Sequence, residues 1–180
     1  MKAKHVYIAG GVALALLLFI PGVLSAGGTV FTAATIETAG TNADAINQAV
    51  DALLSRWEGF SATPYWDVSR YSWGYGTAAP GASGTISEAQ ALSDSNAVLQ
   101  SDILTLQGLI SVPLTPNQWA ALLDFSYNLG IGNAENLVAN INAGDSTALQ
   151  NEWLQYVYAN GEISQDLVAR RNAEWQLWNS

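Results

Sequence analysis

The stretch Trp57-Glu58-Gly59-Phe60-Ser61-Ala62-Thr63-Pro64-Tyr65-Trp66-Asp67, continuing through Ser72-Trp73-Gly74-Tyr75-Gly76-Thr77, marks a change of periodicity in the chain. Before it, Ile46, Val50, Leu53, Leu54 and Trp57 recur at helical spacing, which predicts an amphipathic helix over about 43–58. Glu58 and Gly59 end that helix. Residues 61–77 are rich in Tyr, Trp, Thr and Val and are punctuated by Pro64, Gly74 and Gly76, a composition that predicts short strands and turns. A carboxyl at a helix end is thereby set opposite a hairpin carrying a second carboxyl, Asp67, nine residues later.

That arrangement suits acid-catalysed cleavage of a glycosidic bond. One group protonates the leaving oxygen, while the other activates water or stabilises charge across the ring. Glu58 is flanked by Trp57 and Phe60, and a carboxyl held against apolar walls resists ionisation, so it can remain a proton donor near neutral pH. Two acids at this spacing are common on solvated surfaces, so the pair alone does not decide the matter.

Downstream, Ser87 with Gln90 and Thr115 with Gln118 form capping-box patterns, the second with Pro116 at the first helical position. They predict helices from 87 to about 107 and from 115 to a stop at Gly130. Asn133, Ser146 and Ser164 are further candidate caps, and Gly144 and Gly161 are candidate helix ends. The expected fold is α+β and mainly α: a helix, a small sheet, then a bundle of about five helices.

Upstream, Val6 to Ala26 is 21 residues without charge, and a helix of that length spans roughly 31 Å, one hydrocarbon core. Lys2 and Lys4 precede it, which predicts a cytoplasmic N-terminus and export of the remainder. A retained signal anchor over 1–26 is the leading expectation. A cleaved signal peptide, favoured by Pro21 and the small residues up to Ala26, is the alternative. Residues 27–41, rich in Gly, Thr and Ala, are expected to link it to a catalytic domain over 42–180.

The formal charge is −9 and the pI about 4.2, with only Arg56, Arg70, Arg170 and Arg171 cationic beyond Lys4. No nucleic-acid footprint exists. Cys is absent and His5 is the only His, which excludes disulfides, thiolate zinc sites and a His-dependent triad. No metal or cofactor is called for, and a monomer is expected.

The residues 57–77 quoted above resemble the active-site segment of the phage-type lysozymes, glycoside hydrolase family 24. Further collinear segments are similar to the same family: Leu114-Thr115-Pro116-Asn117-Gln118-Trp119, Phe125-Ser126-Tyr127-Asn128-Leu129-Gly130, the Leu137 to Gly144 helix, and Leu167-Val168-Ala169-Arg170-Arg171-Asn172-Ala173-Glu174. The resemblance covers about residues 50–180.

It implies a lysozyme-like muramidase acting on peptidoglycan, by single displacement with inversion. Glu58 would be the general acid, Asp67 the carboxylate that positions water, and Ser72 the hydroxyl where the family has Thr, in a hairpin one residue shorter. Thr77 is the alternative hydroxyl. The resemblance also implies that Arg170 supports the acid and Asn128 binds sugar. Trp66, Trp73 and Tyr75, in the hairpin, are further candidates for sugar contact because aromatic faces stack on sugar rings.

The biological setting this suggests is an endolysin of the signal-anchor-release kind, held at the host inner membrane through residues 6–26 with its catalytic domain on the periplasmic side. A virion-associated murein hydrolase is the alternative. A lytic transglycosylase and a lysozyme-like structural or binding protein without turnover remain rivals of other classes.

Overall fold

The computed structural model describes residues 43–67, 69–159 and 161–180. The expected membrane segment and linker lie outside these residues. Among the described residues no helix is long and apolar enough to cross a membrane.

Helix α1 (Ala43–Trp57) buries Ile46, Val50, Leu53 and Leu54 along one stripe, as its spacing requires. Its last turn closes when the Glu58 N–H donates to the Leu54 carbonyl at 2.9 Å. Gly59, with φ of 64°, then turns the chain away from the helix axis.

An antiparallel sheet follows in the order β1 (Ser61–Asp67), β2 (Arg70–Gly74) and β3 (Thr77–Ala78). Its register pairs Tyr65 with Ser72, Trp66 with Tyr71 and Asp67 with Arg70. Between Ser61 and Tyr65 the pairing shifts, at the position of Pro64, which has no N–H to give to a ladder.

Five helices complete the domain. They are α2 (Glu88–Leu109), α3 (Pro116–Leu129), α4 (Ile131–Ala143), α5 (Ser146–Trp153) and α6 (Gln165–Trp178). Thr115 and Gln118 form the complete capping box at α3. At α2 only half of it exists: Ser87 accepts from the Gln90 N–H, while the Gln90 amide bonds Asp94 at 2.8 Å.

Three expected boundaries move. Gly130, with φ of 87°, serves both as the end of α3 and as the start of α4, so Asn133 lies inside α4 and bonds the Leu129 carbonyl. Asp145 rather than Ser146 caps α5. Gly161 ends no helix, because a hairpin of β4 (Tyr158–Ala159) and β5 (Glu162–Ile163) occupies that segment. Strands of two residues are too short to show alternation in sequence.

Helix α3 is the hub. Every residue from Trp119 to Ser126 is buried, and α1, α2, α4 and α6 all pack against it. A helix apolar nearly all round can be stable only when surrounded in this way.

Gly74 joins sheet to bundle. Its φ is 59°, and a Cβ there would stand 2.7 Å from the Ala91 Cβ on α2. Gly74→Ala is therefore expected to cost about 3 kcal/mol, combining left-handed backbone strain with overpacking, and to lower the thermal midpoint by roughly 10 °C. Gly144, with φ of 66° and open space around it, supplies the control. Gly144→Ala should cost only the backbone component, about 1 kcal/mol. Equal losses in calorimetry would show that the Ala91 contact does not matter.

Candidate active site

The period of two in a strand sorts the hairpin into two faces. Residues directly paired across the ladder share a face, so Tyr65, Asp67, Arg70 and Ser72 lie on one side, and Trp66, Tyr71 and Trp73 on the other. Tyr65, on the first face, lies near enough to Glu58 to feel its charge. Burial raises the Tyr65 phenol above its ordinary pKa, and the negative charges of Asp67 and then Glu58 add to the rise while Arg70 opposes it. Tyr65 therefore senses both candidate carboxylates. Tyr127 on α3 is raised in the same direction, first by burial and further by Glu58 and Tyr65, with Ser95 and Arg170 opposing.

The Glu58 side chain is only 2% exposed and accepts a hydrogen bond at Oε1 from Arg170 Nη1. Arg170 reaches it from α6 and is itself buried. On its other edge Arg170 meets Asp124 of α3, with Nε to Oδ2 at 3.0 Å and Nη2 to Oδ1 at 2.8 Å. Burial works against its charge, but Asp124, Glu58 and Glu174 outweigh that cost and hold the guanidinium above its ordinary value.

A second guanidinium completes the cluster. Arg171 Nε and Nη2 donate to the two oxygens of Glu174 at 2.7 and 2.5 Å, and Nη2 also donates to Asn128 Oδ1 at 2.9 Å. Trp153 Nε1 donates to Glu174 Oε2 at 2.9 Å, and the Arg171 guanidinium lies over the Phe125 ring. Burial drives the Glu174 carboxyl upward, Arg171 pulls it back, and Asp124 adds to the rise. Three carboxylates and two guanidiniums are thus gathered beneath the site.

Several residues anticipated from sequence fall elsewhere. Tyr75 is 1% exposed, in an apolar cluster with Ile86 and Ala91, and its hydroxyl donates to Glu88 at 2.8 Å. It is a strut between hairpin and α2 and cannot touch a sugar. Asn128 is buried, with its amide oxygen held by Arg171. Trp66 is 62% exposed, yet it lies on the face away from Asp67, edge-on to Tyr71. Trp73 lies on that face too and packs against the Tyr75 cluster. Ser72 is buried on the Asp67 face, and neither its Oγ nor Thr77 Oγ1 finds a hydrogen-bond partner among the described residues.

Asp124, Arg171, Glu174, Tyr65 and Tyr127 were not singled out from sequence. Asp124 gave a signal: it is the lone acid in the run Ala120-Ala121-Leu122-Leu123-Asp124-Phe125, and a charge in a buried helix demands a buried partner. Arg171 and Glu174, three apart on one helix, gave another. Among the described residues no cluster of acids and histidines is arranged to hold a metal ion.

Residues 55–174 match the family model for phage lysozyme. The SAR-endolysin of Escherichia phage Mu is 34% identical over 89 residues, which are 46% of this chain and 52% of that protein. The endolysin of Bacillus phage B103 is 35% identical over 72 residues, 39% of this chain and 27% of that one. The chain thus spans about half or less of the length of these curated relatives.

Two solved structures share the fold. The muramidase domain of SpmX from Asticaccaulis excentricus superposes with a TM-score of 0.68 at 24% identity, covering 75% of this chain and 97% of the other. The active form of the P1 phage endolysin Lyz does so with a TM-score of 0.63 at 20% identity, covering 84% and 95%. With the family model aligned across well over half of the sequence and this fold beneath it, the chain belongs to the phage lysozyme family.

Proposed function

We propose that the chain is a muramidase, hydrolysing the β-1,4 bond between N-acetylmuramic acid and N-acetylglucosamine in bacterial peptidoglycan. The observation that supports this reading is the Glu58 carboxyl, gripped through Oε1 by buried Arg170 at the end of α1, with Glu58 and Asp67 both near enough to Tyr65 to act on its phenol. Glu58 transfers its proton to the glycosidic oxygen as the bond from the anomeric carbon breaks. A water oriented by Asp67 attacks that carbon from the opposite face, and the ionised carboxylate takes up the water's proton. Ser72 Oγ, on the Asp67 face with its hydrogen-bonding capacity unspent among the described residues, can hold the same water. This is a single displacement, so the product forms with inversion.

The setting we infer is host lysis from the periplasmic side of the inner membrane, with residues 6–26 as a releasable anchor. The supporting features are the uncharged run after Lys2 and Lys4 and the relative named a SAR-endolysin. Gly10, Gly11, Pro21 and Gly22 make that run weaker as a membrane helix than a permanent anchor.

Glu58→Gln keeps the shape of the side chain but removes the proton donor, so lytic activity is expected to fall more than about hundredfold. The far-ultraviolet circular dichroism should stay unchanged. Activity within tenfold of the parent would remove Glu58 from the acid role. Asp67→Asn is expected to lose about a hundredfold, and Ser72→Ala less than either. If Asp67→Asn were unaffected, the water would have to be activated by another group.

For the anchor, the full chain is expected in the membrane fraction of energised cells. Leu at Gly10, Gly11 and Gly22 should delay lysis, because Leu is favoured in the bilayer and Gly is not. A mature N-terminus near Ala26 or Gly27, or leucine variants that lyse on schedule, would contradict that localisation.

A further inference from the structure

Helix α3 is buried at every residue from Trp119 to Ser126, and the next residue, Tyr127, packs its ring against the same core. A Phe would fill that space equally well. The phenol oxygen therefore needs its own account, because a Tyr hydroxyl carried into a core must find partners there. Tyr127 Oη donates to the Tyr75 carbonyl at 2.9 Å. Ser95 Oγ of α2, fully buried, stands 3.0 Å away. A phenol has one proton, so with that proton given to Tyr75 the Ser95 hydroxyl is the donor to Tyr127.

The acceptor lies in the turn that joins β2 to β3. The Gly76 N–H closes this turn on the Trp73 carbonyl at 2.9 Å, with φ of 59° at Gly74 and 97° at Gly76. The Tyr75 side chain ties the turn to two helices, since its hydroxyl donates to Glu88 of α2 at 2.8 Å and accepts from Ser55 of α1 at 3.4 Å. Two groups of the Asp67 face rest on the same turn. Arg70 Nη2 donates to the Gly76 carbonyl at 3.4 Å, and the Tyr65 hydroxyl would stand 3.9 Å from a Cβ placed on Gly76. Arg70 is the cross-strand partner of Asp67, and Tyr65 precedes it by two residues on the same face. Contact thus runs from α3 through one hydroxyl to the turn, and from the turn to both of these neighbours of Asp67. Tyr127 is also near enough to Glu58 and Tyr65 for their charges to act on its phenol.

We propose that Tyr127 is a positioning residue for the reaction: its hydroxyl pins the Trp73–Gly76 turn to α3 and, through Tyr65 and Arg70, fixes where Asp67 stands relative to Glu58. The inference rests on the assignment of Asp67 as the carboxylate that orients water. Tyr127 touches no sugar in this account and acts only through the hairpin.

Tyr127→Phe tests it in the full chain, because it deletes one oxygen and keeps the ring that packs in the core. On soluble, uncross-linked peptidoglycan strands, well below the thermal midpoint of the variant, kcat is expected to fall about tenfold while KM stays within about twofold. The same substitution made in the Asp67→Asn background should cost less than about twofold, since two residues that act through one placement do not add. A loss of fold stability alone would move neither kcat nor this coupling. An unchanged kcat, a loss carried by KM alone, or an equal loss with Asp67 already replaced would each overturn the proposal. Ser95→Ala, which removes the hydroxyl's second partner, is expected to lower kcat in the same way by about threefold and supplies the readout should the Phe variant fail to fold. Asp67→Asn assayed by itself separates the two claims. If it retains full activity the water-orienting assignment fails, and if it is impaired while Tyr127→Phe turns over at the parent rate only the present inference fails.

Discussion

The pairing of Arg170 with Glu58 and Asp124 is the constraint around which the domain is arranged. It joins positions 112 residues apart in the chain and binds the end of α1, the middle of α3 and the face of α6 into one buried cluster. A guanidinium sealed from water must have its charge matched, and removing one partner from such a pair typically costs about 3–5 kcal/mol. The terminal helix is therefore part of the site. Its buried face carries Arg170, Arg171 and Glu174 beside Trp178, so the energy that docks α6 and the geometry that holds Glu58 come from the same side chains.

The sheet makes the complementary wall by simpler means. Once Asp67 pairs with Arg70, the two-residue repeat forces Tyr65 and Ser72 onto the same face and sends Trp66 and Trp73 to the other. Gly74 then lets β2 run close against α2, where any Cβ would collide with Ala91. Tyr75 fixes that junction through Glu88. The hairpin is thus held against α2, and the acid and water-orienting carboxylate proposed above would need such fixed placement.

Much of this was legible in the sequence. The switch from the apolar helical spacing that ends at Trp57 to the aromatic, Gly-punctuated hairpin, the Thr115-Pro116 helix start, and the glycines at 59, 130 and 144 all act through local chemistry, and local chemistry is what a sequence displays. Glu58 and Asp67 stood out for the same reason. What escaped notice depends on tertiary neighbours. Tyr75 looked like a sugar contact until its side chain was found turned inward, and Trp66 until strand register put it on the far face. Asp124 has its partner Arg170 46 residues away, and its meaning appears only when α3 and α6 cross. The β4–β5 hairpin was hidden by its brevity.

The central claim is that the proposed site cuts the glycan strand by adding water. Purified peptidoglycan digested with the protein and separated by liquid chromatography with mass detection reports directly on that chemistry. The account requires muropeptides ending in reducing N-acetylmuramic acid. Products ending in 1,6-anhydro-N-acetylmuramic acid, which arise without added water, or walls left uncut by well-folded protein, would contradict it.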